Sequence, residues 1–253
     1  MNVPRLTIGR LHDSRYRFDQ YWDRLNRLNV PTPKTEIIEL LAGDPIPECP
    51  TEDVIEFMES NGLANAFVRS GYKAAVDRFR DGSIIHSCEA DVIEETVTDL
   101  LTQHVRNDIP HGNLLVVRER IDLDYCMEPS HSHAPEIRYF VDEGKIITQT
   151  PDYTPGATTV ECPLSYSFIE ERFEGVETPR PLAERVAQGF ADSPHSWSVD
   201  IILDAHGEWW VTEMHINGIY WNRDRKQWMS NCGHGDKPEY SPKWIHGAAL
   251  PNL

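Results

Sequence analysis

Residues 198–218, SVDIILDAHGEWWVTEMHING, constrain this chain more than any other stretch. SVDIIL and EWWVTEMHI are rich in β-branched and aromatic side chains, and DAHG between them is a short polar turn. The pattern predicts a hairpin of strands 198–203 and 208–216 closed by residues 204–207. Closure on that turn puts Leu203 opposite Glu208 and Asp200 opposite Val211. Directly opposed residues share a face of a sheet, as do alternate residues along a strand. One face then carries Asp200, Glu213, His215 and Asn217. Three of these offer oxygen donors, the hard ligands that magnesium prefers, and such a set can hold a metal against a nucleotide phosphate. The plainer reading is an amphipathic hairpin with a solvated polar face, which leaves Trp209 and Val211 stranded on that same face. A bulge of one residue re-phases the whole assignment.

The remaining periodicities predict a mixed chain. Residues 15–28 have the spacing of an amphipathic helix, and 37–42 suit a strand or a helical turn within a proline-rich stretch. Thr51-Glu52-Asp53-Val54 reads as a capped helix start, with the helix running to Ser60 and stopped by Asn61-Gly62. Strands follow at 66–70 and 83–88, a helix at 89–104, and at 114–121 (LLVVRERI) the best strand of the chain. A hairpin at 136–141 and 145–148 turns around Asp142-Glu143-Gly144, and a helix at 181–190 leads into the final hairpin. The tail after Trp221 reads as irregular.

The 253 residues suffice for one core, or for two lobes around a cleft. A stretch of about 18 apolar residues is missing, as is the apolar core of a secretory signal, so the expected location is the cytoplasm. The net charge of −17 rests on many carboxylates and few lysines (Lys34, Lys73, Lys145, Lys226, Lys237, Lys243). That balance resembles the proteins of salt-loving archaea and their viruses, and it argues against a general nucleic-acid-binding surface, which needs a basic stripe. The five cysteines include no C-x-x-C pair, so neither a disulfide scaffold nor a strong zinc signature emerges. Cys126 with His131 and His133, and Cys232 with His234, are thin zinc candidates that lack a full ligand set. G-x-S-x-G, Walker A, G-x-G-x-x-G and H-E-x-x-H motifs are all missing from the sequence.

A strand bearing Asp, a short turn, and a strand ending in Glu-x-Asn together resemble the metal-binding end of an ATP-grasp domain. Here His215 stands where that family usually has Asn, and Asn217 follows two residues later. The order strand, strand, helix, strand over 61–121 resembles the smaller ATP-grasp lobe, and the likeness runs over residues 31–222. It implies an α+β chain with a two-lobed ATP-grasp fold and a nucleotide cleft between antiparallel-sheet lobes. A shortened N-terminal region (1–60), a small lobe (61–121), a large lobe (122–222) and an irregular tail (223–253) would make up the chain. In AFVRS, Arg69 matches the family lysine that meets the nucleotide phosphates, with Lys73 as a nearby point charge, although Gly71 stands alone where the family has a glycine run. By the same resemblance Glu119, Arg120 and Ile121 form the hinge that binds adenine, and Asp122 or Asp124 meets the ribose. Arg138 matches an arginine that meets the transferred phosphate; placed on an apolar strand, it needs a ligand or an internal acidic partner.

The activity implied is an amide-forming carboxylate–amine ligase that uses ATP and Mg2+ (or Mn2+) and passes through an acyl phosphate. Its partners would be small-molecule or peptide carboxylates and amines, with no membrane, and an oligomer is compatible with it. The alternative is a nucleotide-binding or structural protein that kept the fold without turnover.

Overall fold

The computed structural model describes residues 17–41, 46–71, 83–106, 113–123, 126–127, 132–133, 135–151, 176–194, 196–216, 219–222 and 227–230. The chain divides into two compact units, one of residues 1–23 and 33–121, the other of residues 24–32 and 122–253. Helix α1 (Asp19–Arg27) comes first in the chain, and each unit holds helices and a four-stranded antiparallel sheet, so the chain is α+β. None of the described helices is long and apolar enough to cross a membrane.

In the first unit, β1 (Thr35–Glu39), β2 (Ala66–Ser70), β3 (Ile84–Ile85) and β4 (Leu114–Glu119) form a sheet in the order β1-β4-β2-β3. Strand alternation sends Ile38, Val68, Leu115 and Val117 to one face. There they meet Val54, Phe57 and Met58 of α2 (Thr51–Ser60) and Ile93, Val97, Leu100 and Leu101 of α3 (Ala90–Arg106), all from apolar positions at helical spacing. The Asn61-Gly62 stop works as a Schellman motif: Gly62 has φ +66°, its N–H donates to the Glu59 carbonyl, and the Leu63 N–H donates to that of Met58. The start of α2 departs from the expected cap. Pro50 is the N-cap residue and no side chain caps the helix, because the Thr51 hydroxyl lies inside the first turn and donates toward Glu94 Oε1 at 3.3 Å.

The second unit is built on β7 (Glu136–Asp142), β8 (Lys145–Pro151), β9 (Trp197–Leu203) and β10 (Trp209–Ile216), in the order β10-β9-β7-β8. Its buried face carries Ile137, Tyr139, Val141, Val199, Ile201, Val211 and Met214. Across from them α4 (Arg180–Gly189) and the residue that follows it supply Ala183, Val186, Ala187 and Phe190, whose ring meets Trp197 edge-on at 5.3 Å. Two-stranded ribbons complete the described elements: β5 (Cys126–Met127) with β6 (Ser132–His133), and β11 (Ile219–Asn222) with β12 (Gln227–Ser230).

The β7–β8 turn needs its glycine. Asp142 pairs with Lys145, and the two residues between them, Glu143 and Gly144, both have positive φ (45° and 77°), as the twist of a two-residue hairpin requires. A Cβ on Gly144 would also lie 2.8 Å from that of Ala191. Gly144→Ala is therefore expected to cost about 2–4 kcal/mol from left-handed strain and overpacking together. Urea unfolding would check this, and a loss under about 0.5 kcal/mol would mean that the turn and the 191 backbone relax freely.

Candidate metal centre

The hairpin exists, but its register differs from the one expected. Leu203 pairs with Trp209 rather than Glu208, so the turn takes one residue more, and Asp200 pairs with Glu213 rather than Val211. Between Val211 and Glu213 the register slips by one residue at Thr212, a β-bulge. The two offsets have separate effects. The longer turn moves Trp209 and Val211 to the face of Ile201 and Leu203, where Val211 is fully buried. The bulge then returns Glu213 and His215 to the face of Asp200. The Thr212 hydroxyl donates to the Asp200 carbonyl at 3.2 Å, giving that carbonyl a partner beside the interrupted ladder.

Across the sheet this makes a row. Arg138 of β7 and Glu213 of β10 lie directly opposite Asp200 of β9, on either side of it. Asp200 is only 2% exposed. Arg138 grips it side-on, Nε to Oδ1 at 2.6 Å and Nη2 to Oδ2 at 2.8 Å, so the arginine's acidic partner is an internal one. His215 pairs with Ser198, one step along. Its Nε2 lies 3.4 Å from Glu213 Oε1 and 3.8 Å from Asp200 Oδ2. Burial lowers the pKa of the imidazole, but the charge and hydrogen bond of Glu213 and the charge of Asp200 outweigh it, so the net shift is upward from 6.5.

One ligand atom from each of Asp200, Glu213 and His215 lies within 4.8 Å of the others. With neutral imidazole, Arg138 cancels one of the two carboxylate charges and the cluster keeps one negative charge. Two carboxylates and an imidazole are a donor set that divalent ions use, and a carboxylate held side-on by arginine keeps further lone pairs. The residues therefore fit a divalent cation. Asn217, the fourth ligand expected from sequence, lies outside the described residues, as do Lys73 and Asp124.

The turn that carries this hairpin is organised by Asp204, which by sequence alone is only one of its polar residues. Its Oδ1 accepts the N–H groups of His206 and Glu208 at 2.8 Å each, and its Oδ2 accepts Trp210 Nε1 at 2.9 Å. Burial raises its pKa, yet these donors win and hold the carboxyl below its ordinary value.

In the first unit Arg69 is only 5% exposed, and on the same sheet face lies an equally buried arginine, Arg118, which no family motif singles out. Both guanidinium groups sit over the Phe18 ring, at 5.3 and 5.1 Å, and that of Arg118 also lies 4.8 Å from the Trp22 ring. The readable signal was parity: Arg118 alternates with Val117 on the most apolar strand, so it had to point away from the helices. Glu119 ends β4, where its N–H donates to the Lys34 carbonyl at 2.8 Å and its Oε2 accepts the Lys34 N–H at 3.1 Å. Arg120 and Ile121 follow β4, Arg120 exposed and Ile121 half-buried. Of the thin zinc candidates, Cys126 pairs with His133 across the β5–β6 ribbon, while His131, Cys232 and His234 lie outside the described residues.

No protein-family model and no curated protein matches the sequence. Among solved structures, the chain is similar to the ATP-grasp ligase PsnB complexed with a minimal precursor, at 13% identity and a TM-score of 0.42, over 82% of this chain and 54% of that one. It is similar to N5-carboxyaminoimidazole synthetase from Staphylococcus aureus complexed with ADP, at 9% identity and 0.45, over 79% and 43%. A third is D-alanyl-alanine synthetase A from Vibrio cholerae, at 12% identity and 0.45, over 81% and 56%. The chain spans about half the length of these structures.

Proposed function

We propose that the chain is an ATP- and metal-dependent ligase that joins a carboxylate to an amine. What supports this reading is the row Arg138–Asp200–Glu213 with His215 beside it: a cation, two carboxylates and an imidazole gathered on one sheet face. In the reaction proposed, an oxygen of the substrate carboxylate attacks the γ-phosphorus and ADP departs. An amine then attacks the acyl carbon, loses a proton, and expels phosphate to leave an amide. Asp200, Glu213 and His215 would hold the metal, which when bound spreads the negative charge of the phosphates. Arg138, its orientation fixed by the side-on grip of Asp200, presents a cation to the transferring phosphoryl group. On the first unit, Arg69 takes the part of a phosphate-binding cation, and residues 119–121 that of an adenine-binding segment. Substrates are a small-molecule or peptide carboxylate and an amine, and the ion is Mg2+ or Mn2+.

A second reading has one observation in its favour. Both oxygens of Asp200 are already held by Arg138, which suits a self-neutralised cluster in a protein that binds nucleotide without turnover.

Glu213→Ala tests the central claim, because Glu213 is 27% exposed and its loss leaves the Arg138–Asp200 pair intact. Metal–ATP affinity is expected to fall about ten- to hundred-fold while the melting temperature changes little, as for loss of one contact to a charged group. Equal binding by variant and natural chain would remove the metal from this cluster. ADP release that depends on pooled carboxylate and amine donors supports the ligase; nucleotide binding with no ADP formed under any donor supports the second reading.

A further inference from the structure

We propose that His215 makes this cluster selective for a first-row transition-metal ion, such as Mn2+ or Co2+, over Mg2+. The inference rests on the metal reading of Asp200 and Glu213 and adds to it the identity of the ion. Three observations carry it.

One nitrogen, His215 Nε2, is directed at both carboxylates, at 3.4 Å from Glu213 Oε1 and 3.8 Å from Asp200 Oδ2. Both distances exceed the 2.7–3.2 Å or so of a firm N–H···O hydrogen bond. A nitrogen set beside two carboxylate oxygens at once has the spacing of neighbouring ligands about a shared ion, and its long contact to Glu213 is a weak hydrogen bond that an ion would replace.

The second observation is position. His215 is paired across β9–β10 with Ser198, the next position on the sheet face that carries the Asp200–Glu213 pair. The bulge at Thr212 sets the parity that places it there.

The third is the donor set, two oxygens and one aromatic nitrogen. Magnesium is a hard ion that keeps its waters and takes oxygen ligands in near-regular octahedra. Imidazole is a borderline donor, and the affinity it confers grows along the first transition row from manganese through cobalt and nickel. The charge argues in the same direction: with Asp200 paired to Arg138, the net negative charge of the cluster is smaller than two carboxylates would give, so Coulomb attraction alone serves the hard ion less well. The ion is then held by covalent preference as much as by charge, and His215 is the side chain that supplies it.

The experiment titrates the 253-residue natural chain, first alone and then with ATP, with Mg2+, Mn2+ and Co2+ by calorimetry, and repeats the titration with His215→Asn and His215→Gln. Both variants keep a polar side chain at a partly exposed position, and their melting curves report folding. Electron spin-echo spectra of the Mn2+-loaded natural chain read the ligand nitrogen directly. Co2+ is expected to bind at least about tenfold more tightly than Mg2+, and the Co2+/Mg2+ ratio is expected to fall by about tenfold in either variant, mostly through weaker Co2+ binding. The spin-echo spectrum should show an imidazole nitrogen coupling that the variants lack. A ratio unchanged by the substitutions, or a Mn2+ spectrum without nitrogen coupling, overturns the inference and leaves an all-oxygen metal site standing. If no ion binds the natural chain, with or without ATP, the metal reading itself falls and the selectivity falls with it.

Discussion

Asp200→Ala is expected to destabilise the second unit by about 3 kcal/mol. The variant leaves the Arg138 guanidinium on the sheet without the carboxylate that grips it through two bonds of 2.6 and 2.8 Å. Cutting a fully buried pair costs about 3–5 kcal/mol; the arginine is 21% exposed, so water offsets part of the loss and the lower end of that range applies. The companion experiment is Arg138→Met with Asp200→Leu, which removes both charges and fills the space with apolar atoms. That double variant is expected to recover most of the stability in urea unfolding while losing all metal binding. A single variant that unfolds at the same urea concentration as the natural chain would mean that the pair is solvated and contributes nothing. The same reasoning explains why Glu213 and His215, the more exposed members, are the cleaner places to test metal binding.

A second large effect belongs to the turn. Asp204→Asn is expected to cost about 2–3 kcal/mol, because an amide oxygen cannot replace both carboxylate oxygens and its NH2 group would confront a donor. The lost contacts are the two backbone N–H groups on Oδ1 and the indole N–H on Oδ2. The effect has a pH signature. Burial pushes the Asp204 carboxyl up, the hydrogen bonds push it down further, and the folded value lies below the unfolded one, about 3.9. Its stabilisation is therefore complete above the unfolded value and is lost as pH falls through the folded one. The stability gap between the natural chain and Asp204→Asn should stay constant from pH 7 to about pH 5 and close below about pH 4. A gap independent of pH down to about pH 2.5 would show that the carboxylate charge plays no part.

The helices and strands were legible where side-chain period and local punctuation agree. The α2 helix and strand β2 occupy the residues that their patterns indicate, since each is bounded by proline, asparagine or glycine. Register was not legible in the same way, because it depends on how many residues a turn absorbs and on which residues the core accepts. One clue was present. Val211 and Met214 are both apolar, stand three positions apart, and are both buried. Two core residues at odd spacing within one strand require an extra residue between them. The Arg138–Asp200 pair needed the neighbouring strand order, which joins residues 62 positions apart and leaves no trace in local sequence. Asp204 read as an ordinary turn residue, since only the packed Trp210 shows that its second oxygen has a donor of its own.

Thr212 gives this strand one position at which its length is negotiable. Remove it, and Val211 still faces Ile201 while Glu213 still faces Asp200, because the residue lost is the one without a partner across the ladder. Removal of a residue elsewhere in β10, with the bulge kept, transfers the side chains beyond it to the opposite face. Twelve residues separate Asp200 from Glu213 here. A chain with one fewer at the bulge would keep Asp200, Glu213 and His215 on the same sheet face. Any search for such chains by motif therefore has to let the count between aspartate and glutamate vary by one while holding Glu-x-His fixed.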